Sequence, residues 1–424
     1  MGILGGATEI LPSNRSAVCE VVVSPQGFQT PEESCTMPKS PEPRRVAQIM
    51  LSWLDLELIS CEELQALWAG YGHICAIKAR PIRGQVPASW HPFSKDDTGH
   101  MRKMLSYEVE QYFYDEVSPY LGDEVTVAKC LASTRHMRDK ATADGLDGLT
   151  ATLMSDLRLA FPVAGEKRSV LSQRQVDASL EWLSRFHSSS WKLIPTELNS
   201  LVLPPLEEMK RRQGDSPSDG GALWLNGGYT YLATRRNEYG DLAGDKASEW
   251  SDAFCHPIAG SESIAEMVAR FLTPTGRPFE TYIHGDVKSE NLFSTGAGDK
   301  VAFYDFQYVG MGLGVCDLAK LFTCAVPLNM LTGSRRVPEE LSMEDGEKKL
   351  LEYYLSTLMS HRPEGTTFEY EWDIFVRHWE TALVDWCRFQ ASWGFWGNTN
   401  WLQARVRSIL SDEGWQNWLQ KQLE

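Results

Sequence analysis

The stretch Ile283-His284-Gly285-Asp286-Val287-Lys288-Ser289-Glu290-Asn291, followed by Phe303-Tyr304-Asp305-Phe306-Gln307, holds the side chains best suited to chemistry in this chain. Asp286 and Asn291 lie five residues apart, and Asp305 follows Asn291 by fourteen. Between them run Leu292-Phe293, a segment with Gly296, Gly298 and Asp299, and then Lys300-Val301-Ala302-Phe303-Tyr304. Turn formers flanked by short apolar runs predict a β-hairpin. A hairpin folds Asp305 back beside Asn291. Two hard oxygen ligands can then face one cation, which suits magnesium holding the phosphates of a nucleotide. Asp286 is left to orient an attacking hydroxyl and take its proton. Taken singly, each of these residues reads as a cap or a turn. The spacing and the hairpin together favour catalysis. His284 reads as a brace for the loop, and Asp317 as a carboxylate that accepts its backbone N–H groups.

These motifs, followed by Gly310-Met-Gly312-Leu-Gly314-Val-Cys-Asp317-Leu318-Ala319, resemble the aminoglycoside phosphotransferase and choline kinase superfamily. Within it they resemble most the ecdysteroid-kinase-like (CHK kinase-like) branch. Further pieces agree in order: Ala69-Gly70-Tyr71-Gly72, Glu110-Gln-Tyr-Phe113-Tyr114, Leu153-Met-Ser-Asp156-Leu157, Trp182-Leu-Ser-Arg-Phe186-His187 and Trp224-Leu-Asn-Gly227-Gly228-Tyr229. The resemblance spans roughly residues 50 to 400. It implies an α+β, protein-kinase-like fold of two lobes, with a small β-rich N-lobe and a large helical C-lobe. It also implies ATP and Mg2+ as cofactors, Asp286 as catalytic base, and Asn291 and Asp305 as magnesium ligands. Gly70 and Gly72 would let backbone approach the nucleotide, and Glu110 would pair with a strand lysine that holds its phosphates.

That lysine is where the sequence departs from the family. An apolar strand ending in Lys is expected between residue 80 and the helix that carries Glu110. The chain instead has Val86-Pro-Ala-Ser-Trp-His-Pro-Phe-Ser-Lys95, whose prolines oppose a central strand. Lys78 is the candidate substitute. A lost lysine would leave a non-catalytic, kinase-shaped binding protein.

Lys288 gives the loop the D-x-K-x-x-N form of Ser/Thr protein kinases and could touch the transferring phosphate. Two features oppose a protein substrate. Gly285 stands where an arginine would pair with a phosphorylated activation segment. Only eleven residues separate Asp305 from Asp317, too few for a peptide platform. A small-molecule hydroxyl acceptor is expected.

The 424 residues suffice for two lobes, and the net charge of −16 opposes non-specific binding to nucleic acid or anionic membrane. Nine scattered cysteines without a C-x-x-C pair fit a reducing compartment, so a cytoplasmic location is expected. No apolar run reaches the length of a membrane span.

Residues 1–45 read as a flexible leader, with Ala17–Ser24 as a strand inside it. Residues 46–152 form the nucleotide-binding lobe, 153–157 the hinge, and 158–424 the catalytic and acceptor-binding lobe. Helical spacing covers 46–68, 105–121 and 173–187, strands are expected at 73–79 and 149–157, and 205–222 reads as a loop. Eight of the fifteen tryptophans fall between 372 and 418. Trp372, Trp379, Trp386 and Trp393 share one helix face, drifting about 20° per heptad. That stripe serves either packing or an acceptor wall, where Asp385, Arg388 and Trp396 are the residues to test.

Overall fold

The computed structural model describes residues 15–23, 42–66, 72–81, 98–212, 222–257, 262–333 and 336–424, with backbone alone for 15–23, 66, 81 and 98–101. The chain divides into two compact units, Met1–Tyr107 with Ala128–Asp156, and Glu108–Val127 with Leu157–Glu424. The fold is α+β, with a smaller sheet-rich unit and a larger helical one.

The smaller unit contains β1 (Arg15–Val23), α1 (Pro43–Ser52), β2 (Leu56–Ala66), β3 (Gly72–Pro81), the start of α2 (Thr98–Tyr112), β4 (Cys130–Ser133), α3 (Arg138–Ala143) and β5 (Leu149–Ser155). Its antiparallel sheet runs β2-β3-β1-β5-β4. The central strand is therefore β1, from the stretch that reads as a leader. Its valines suit a strand paired on both sides, and it pairs with β3 from Arg15↔Ala79 to Val22↔Gly72 and with β5 from Ala17↔Ser155 to Val23↔Leu149. One sheet face is closed by α1. Val46, Met50 and Leu51 bury against Leu58, Ile77, Ala151 and Leu153.

The helix expected over 46–68 is corrected by the structure: α1 stops at Ser52, Asp55 turns the chain with φ 56°, and β2 follows. Leu54, Leu56 and Leu58 alternate with polar residues at period two. Leu51, Leu54 and Leu58 also match a helical spacing, so the two patterns overlap in a short window.

The larger unit contains, in chain order, β6 (Val163–Ala164), α4 (Gln173–Ser190), α5 (Pro205–Arg212), α6 (Arg236–Gly244), α7 (Glu249–Cys255), α8 (Ile264–Leu272), β7 (Glu280–Ile283), β8 (Leu292–Ser294), β9 (Val301–Phe303), β10 (Gly310–Leu313), α9 (Val315–Cys324), α10 (Leu328–Leu331), α11 (Asp345–Ser360), α12 (Trp372–Trp393), α13 (Thr399–Leu410) and α14 (Glu413–Leu423). A capping box between Ser172 and Gln175 starts α4. Its Trp182 and Phe186 pack around Phe303 and Phe306, at the centre of the unit.

The loop expected over 205–222 is also corrected. α5 occupies its first eight residues, while 213–221 lie outside the described residues. Pro205 opens α5, Glu207 and Glu208 fill its first turn, and Lys210, Arg211 and Arg212 its last, which is the charge order that the helix dipole favours.

Candidate active site

β7 carries the chain inward and stops at Ile283, where His284, Gly285 and Asp286 turn it. Gly285 has φ 84°, and a Cβ there would lie 2.4 Å from the Tyr308 carbonyl and 2.6 Å from the Gly228 nitrogen. Only glycine fits. The turn is gripped from below by Asp317 on α9. One carboxylate oxygen accepts from the His284 N–H at 2.7 Å and the other from the Gly285 N–H at 2.9 Å. Burial pushes the Asp317 carboxyl up, but the His187 hydrogen bond, with Lys320 nearby, outweighs it and holds the group below the ordinary carboxylate value. Asp317 thus plays the bracing part that its position suggested.

His284 is fully buried. Its Nε2 lies 3.0 Å from the Tyr304 carbonyl, and its Nδ1 accepts from the Asp286 N–H at 3.2 Å. That pattern requires a neutral ring protonated on Nε2. Burial favours the neutral form and lowers the ring's affinity for a second proton.

Asp286 and Asn291 meet. The Asn291 Nδ2 donates to Asp286 Oδ2 at 3.1 Å and to the Asp286 carbonyl at 2.9 Å. The amide nitrogen is committed, so the carboxamide oxygen is the atom left for a ligand. β8 and β9 then form the hairpin in the register Leu292↔Phe303, Phe293↔Ala302 and Ser294↔Val301. The Tyr304 N–H continues it, donating to the Asn291 carbonyl at 3.0 Å. Asp305 comes next.

Asp305 has φ 66°, a left-handed conformation that is uncommon outside glycine. Its Oδ1 is sealed from solvent and has no hydrogen-bond partner. Burial, and then the charge of Asp286, push its carboxyl up to about 7, although Lys288 and the Gln307 N–H pull the other way. A buried carboxylate oxygen with no partner, beside a second carboxylate, is a receptive position for a hard divalent cation. Asn291 and Asp305 therefore fit the magnesium that the family implies. Among the described residues no three His, Cys, Asp or Glu side chains cluster to hold a metal. The remainder of the coordination shell would come from phosphate and water, as is usual for Mg2+.

Lys288 lies 2.9 Å from Asp286 Oδ2 and 3.8 Å from Glu290. Burial lowers the affinity of its amine for a proton, but Asp286 and its neighbours more than compensate, and its pKa stays raised. Glu110, at the α2 end that belongs to the larger unit, accepts from the Phe306 N–H at 2.9 Å. Phe113 stacks on Phe306 at 3.9 Å between ring centroids. Asp286, Lys288, Asn291, Asp305 and Glu110 thus belong to one neighbourhood of one unit. Gly72 and Lys78 belong to the other unit, on β3, and Lys78 is exposed. Gly70 and the strand expected between residue 80 and the helix lie outside the described residues.

The profile of the ecdysteroid kinase-like family matches residues 91–362. The chain belongs to that family. No curated protein sequence matches it. Among solved structures it is similar to the GDP complex of aminoglycoside 2'-phosphotransferase-IIIa (13% identity, 89% of this chain and 95% of the other, TM-score 0.38). It is also similar to a choline kinase from Streptococcus pneumoniae (13%, 88% and 98%, 0.37) and to an ethanolamine kinase from Plasmodium vivax (11%, 73% and 75%, 0.33).

In this ecdysteroid kinase-like protein the tryptophan stripe lies on α12 and is mainly packing. Trp379 is fully buried and donates to Glu347 at 2.8 Å; Trp386 is buried, and Trp393 at the helix end is 55% exposed. Arg388 pairs with Asp385 at 2.6 Å and donates to the Thr230 carbonyl at 2.7 Å, and it is fully buried. Trp396 is held through its backbone by the Gln390 carboxamide, at 3.2 and 3.4 Å.

One residue of the site escaped the sequence reading. Lys320 on α9 is buried and donates to the Gly285 carbonyl at 2.6 Å. The signal was present: a single lysine inside Leu318-Ala-Lys-Leu-Phe322, three residues after Asp317 and so on the same helix face.

Proposed function

We propose that this protein is a nucleotide- and magnesium-dependent small-molecule kinase that transfers the γ-phosphoryl of ATP to a hydroxyl. The observation that carries the reading is the joint placement of Asp286, Asn291 and Asp305, with Asp305 Oδ1 buried and unpartnered. Asp286 orients the acceptor hydroxyl and takes its proton as the oxygen attacks. Asn291 restrains the Asp286 carboxylate and offers its own amide oxygen to the metal. Asp305 supplies the second oxygen. Magnesium, when bound, neutralises phosphate charge and aligns the transferring group. Lys288 offers a cation to the phosphoryl oxygens as negative charge shifts between them. Its ion pair with Asp286 also restrains that carboxylate.

The test is transfer from γ-labelled ATP with Mg2+ to hydroxyl compounds in a metabolite extract. The wild-type protein labels a product and Asp286→Ala does not, while both bind Mg–ATP. Equal labelling by the two proteins would remove Asp286 from the chemistry.

A second reading, a kinase-shaped binding protein without catalysis, has one specific observation in its favour. Lys78 is the only lysine in β1 to β5, and it is exposed. Thermal-shift titration separates the two readings: no stabilisation by Mg–ATP would favour the second.

A further inference from the structure

We infer that Lys320 is the positioning residue of the catalytic loop, fixing the peptide plane that precedes Asp286. The inference rests on Asp286 as the base, and it concerns how that base is aimed.

Gly285 is a soft joint. It has φ 84° and no side chain to restrain it, so its orientation must be imposed from outside. The Gly285–Asp286 peptide is held at both of its polar atoms. Its carbonyl accepts from the Lys320 Nζ at 2.6 Å, and its N–H donates to His284 Nδ1 at 3.2 Å. The preceding peptide is held by Asp317, which takes the Gly285 N–H at 2.9 Å. Asp317 and Lys320 lie three residues apart on α9. One helix face thus grips the turn with an anion on its N–H groups and a cation on its carbonyl. Rotation of the clamped peptide would swing the Asp286 side chain. Misplacement of a reacting group by about 1 Å can cost ~10²-fold in rate.

The surroundings of Lys320 point the same way. It is 4% exposed, and no carboxylate of the described residues forms an ion pair with it. Its ammonium lies 5.9 Å from the ring centroids of Tyr229 and of Trp386. Burying an ammonium without a direct counter-ion is costly. A residue kept only for packing would be served better by methionine or leucine. A Cβ on Gly228 would lie 3.0 Å from the Nζ, so the backbone makes room for the amine where it stands.

The test uses the full chain with Mg–ATP, water serving as acceptor, and follows ADP release. Lys320→Met removes the donor at nearly constant volume. Its kcat falls ~10²-fold, its KM for Mg–ATP stays within about twofold, and hydrogen exchange over residues 282–288 speeds up. Lys320→Gln restores a neutral donor and recovers at least about tenfold of the lost rate. A Lys320→Met protein with wild-type kcat, or a Gln variant no faster than Met, overturns the inference. Should the Met variant not fold, Lys320→Gln is read against Lys320→Asn, whose amide is one methylene shorter. A Gln variant about tenfold faster supports the role, and equal rates overturn it. Asp286→Ala run in parallel keeps the two claims apart. Turnover by that variant sinks the assignment of the base, whereas an inactive Asp286→Ala beside a fully active Lys320→Met sinks only the role of Lys320.

Discussion

The turn at 284–286 and the strand β3 hold the groups proposed for the chemistry and for the phosphates, and they are built to different standards. Around Asp286 the turn is tied down on several sides. Asp317 holds two N–H groups, Lys320 holds a carbonyl, His284 spans from Asp286 to Tyr304, and Asn291 binds Asp286 twice. On β3, Cys75 and Ile77 bury into the sheet core, while Lys78 points to the opposite face and stays exposed. An anchored group is pre-organised for a transition state; an exposed lysine pays side-chain entropy each time it engages a phosphate. The comparison teaches that the groups proposed for the hydroxyl and the metal are fixed in advance, whereas the lysine proposed for the other phosphates is not.

The largest effect expected is at the base. Asp286→Ala should lower phosphoryl transfer by about 10³-fold, within the usual range for removal of a general base. Mg–ATP binding by calorimetry should change little, because Asn291 and Asp305 keep their oxygens. A loss of nucleotide affinity as large as the loss of rate would place Asp286 among the metal ligands and blur the contrast with β3.

Asp305 comes next. Asp305→Asn should cost about 10²-fold in transfer by weakening the metal, and it carries a pH signature. The Asp305 carboxyl is pushed up to about 7 in the folded protein, from an ordinary value near 3.8. Between those values the folded state holds a proton that the unfolded state has released. Without divalent cation, this group's stabilising contribution is therefore complete below about 3.8 and is lost as pH rises through about 7. A cation that replaces the proton should raise Tm more at pH 8 than at pH 5. In Asp305→Asn both the decline and the difference should be much reduced. Equal magnesium shifts at the two pH values would remove Asp305 from the metal.

How much of this was legible in the sequence divides along the same line. The hairpin could be foreseen because Gly296, Gly298 and Asp299 mark a turn between two apolar runs, and that local chemistry sets the register beside Asn291 and Asp305. The bracing role of Asp317 could be foreseen from its motif. Lys320 shows in the sequence only as a charge inside an apolar run, and its task is not legible there, because a lysine on a helix is ordinarily solvated and its partner is a carbonyl 35 residues away. The sheet order was hidden for a related reason. β1 and β5 are far apart in sequence, and no local pattern states that Arg15–Val23 enters between β3 and β5. Over 46–68 two periodicities competed, and an Asp55 in the left-handed region, rather than Gly or Pro, ended the helix.

Asp317 tests whether the anchoring is energetic as well as geometric. Asp317→Ala leaves the His284 and Gly285 N–H groups without their acceptor inside the protein. It should cost about 3 kcal/mol of stability in denaturant unfolding, the usual scale for breaking a buried charged network. Asp317→Asn keeps one acceptor and should cost less. A cost below about 0.5 kcal/mol for the alanine variant would mean that the turn holds itself.

The smallest effect should come from Lys78, and it bears most directly on the contrast. A lysine that anchors phosphates contributes a desolvated ion pair, and its loss would weaken Mg–ATP binding by tenfold or more. An exposed lysine contributes little, since exposed charge pairs are worth about 0–1 kcal/mol. Lys78→Ala should therefore change Mg–ATP affinity by less than about twofold and leave Tm nearly unchanged, because its face of β3 is not the one that buries Cys75 and Ile77. A tenfold loss of affinity with unchanged Tm would show that Lys78 folds onto the nucleotide when it arrives, so that β3 is completed by its ligand rather than lacking its lysine. A twofold change leaves the phosphates to the metal, to Lys288 and to backbone. Catalysis would then rest on the larger unit's own cations, and affinity for ATP would be expected to depend steeply on magnesium concentration.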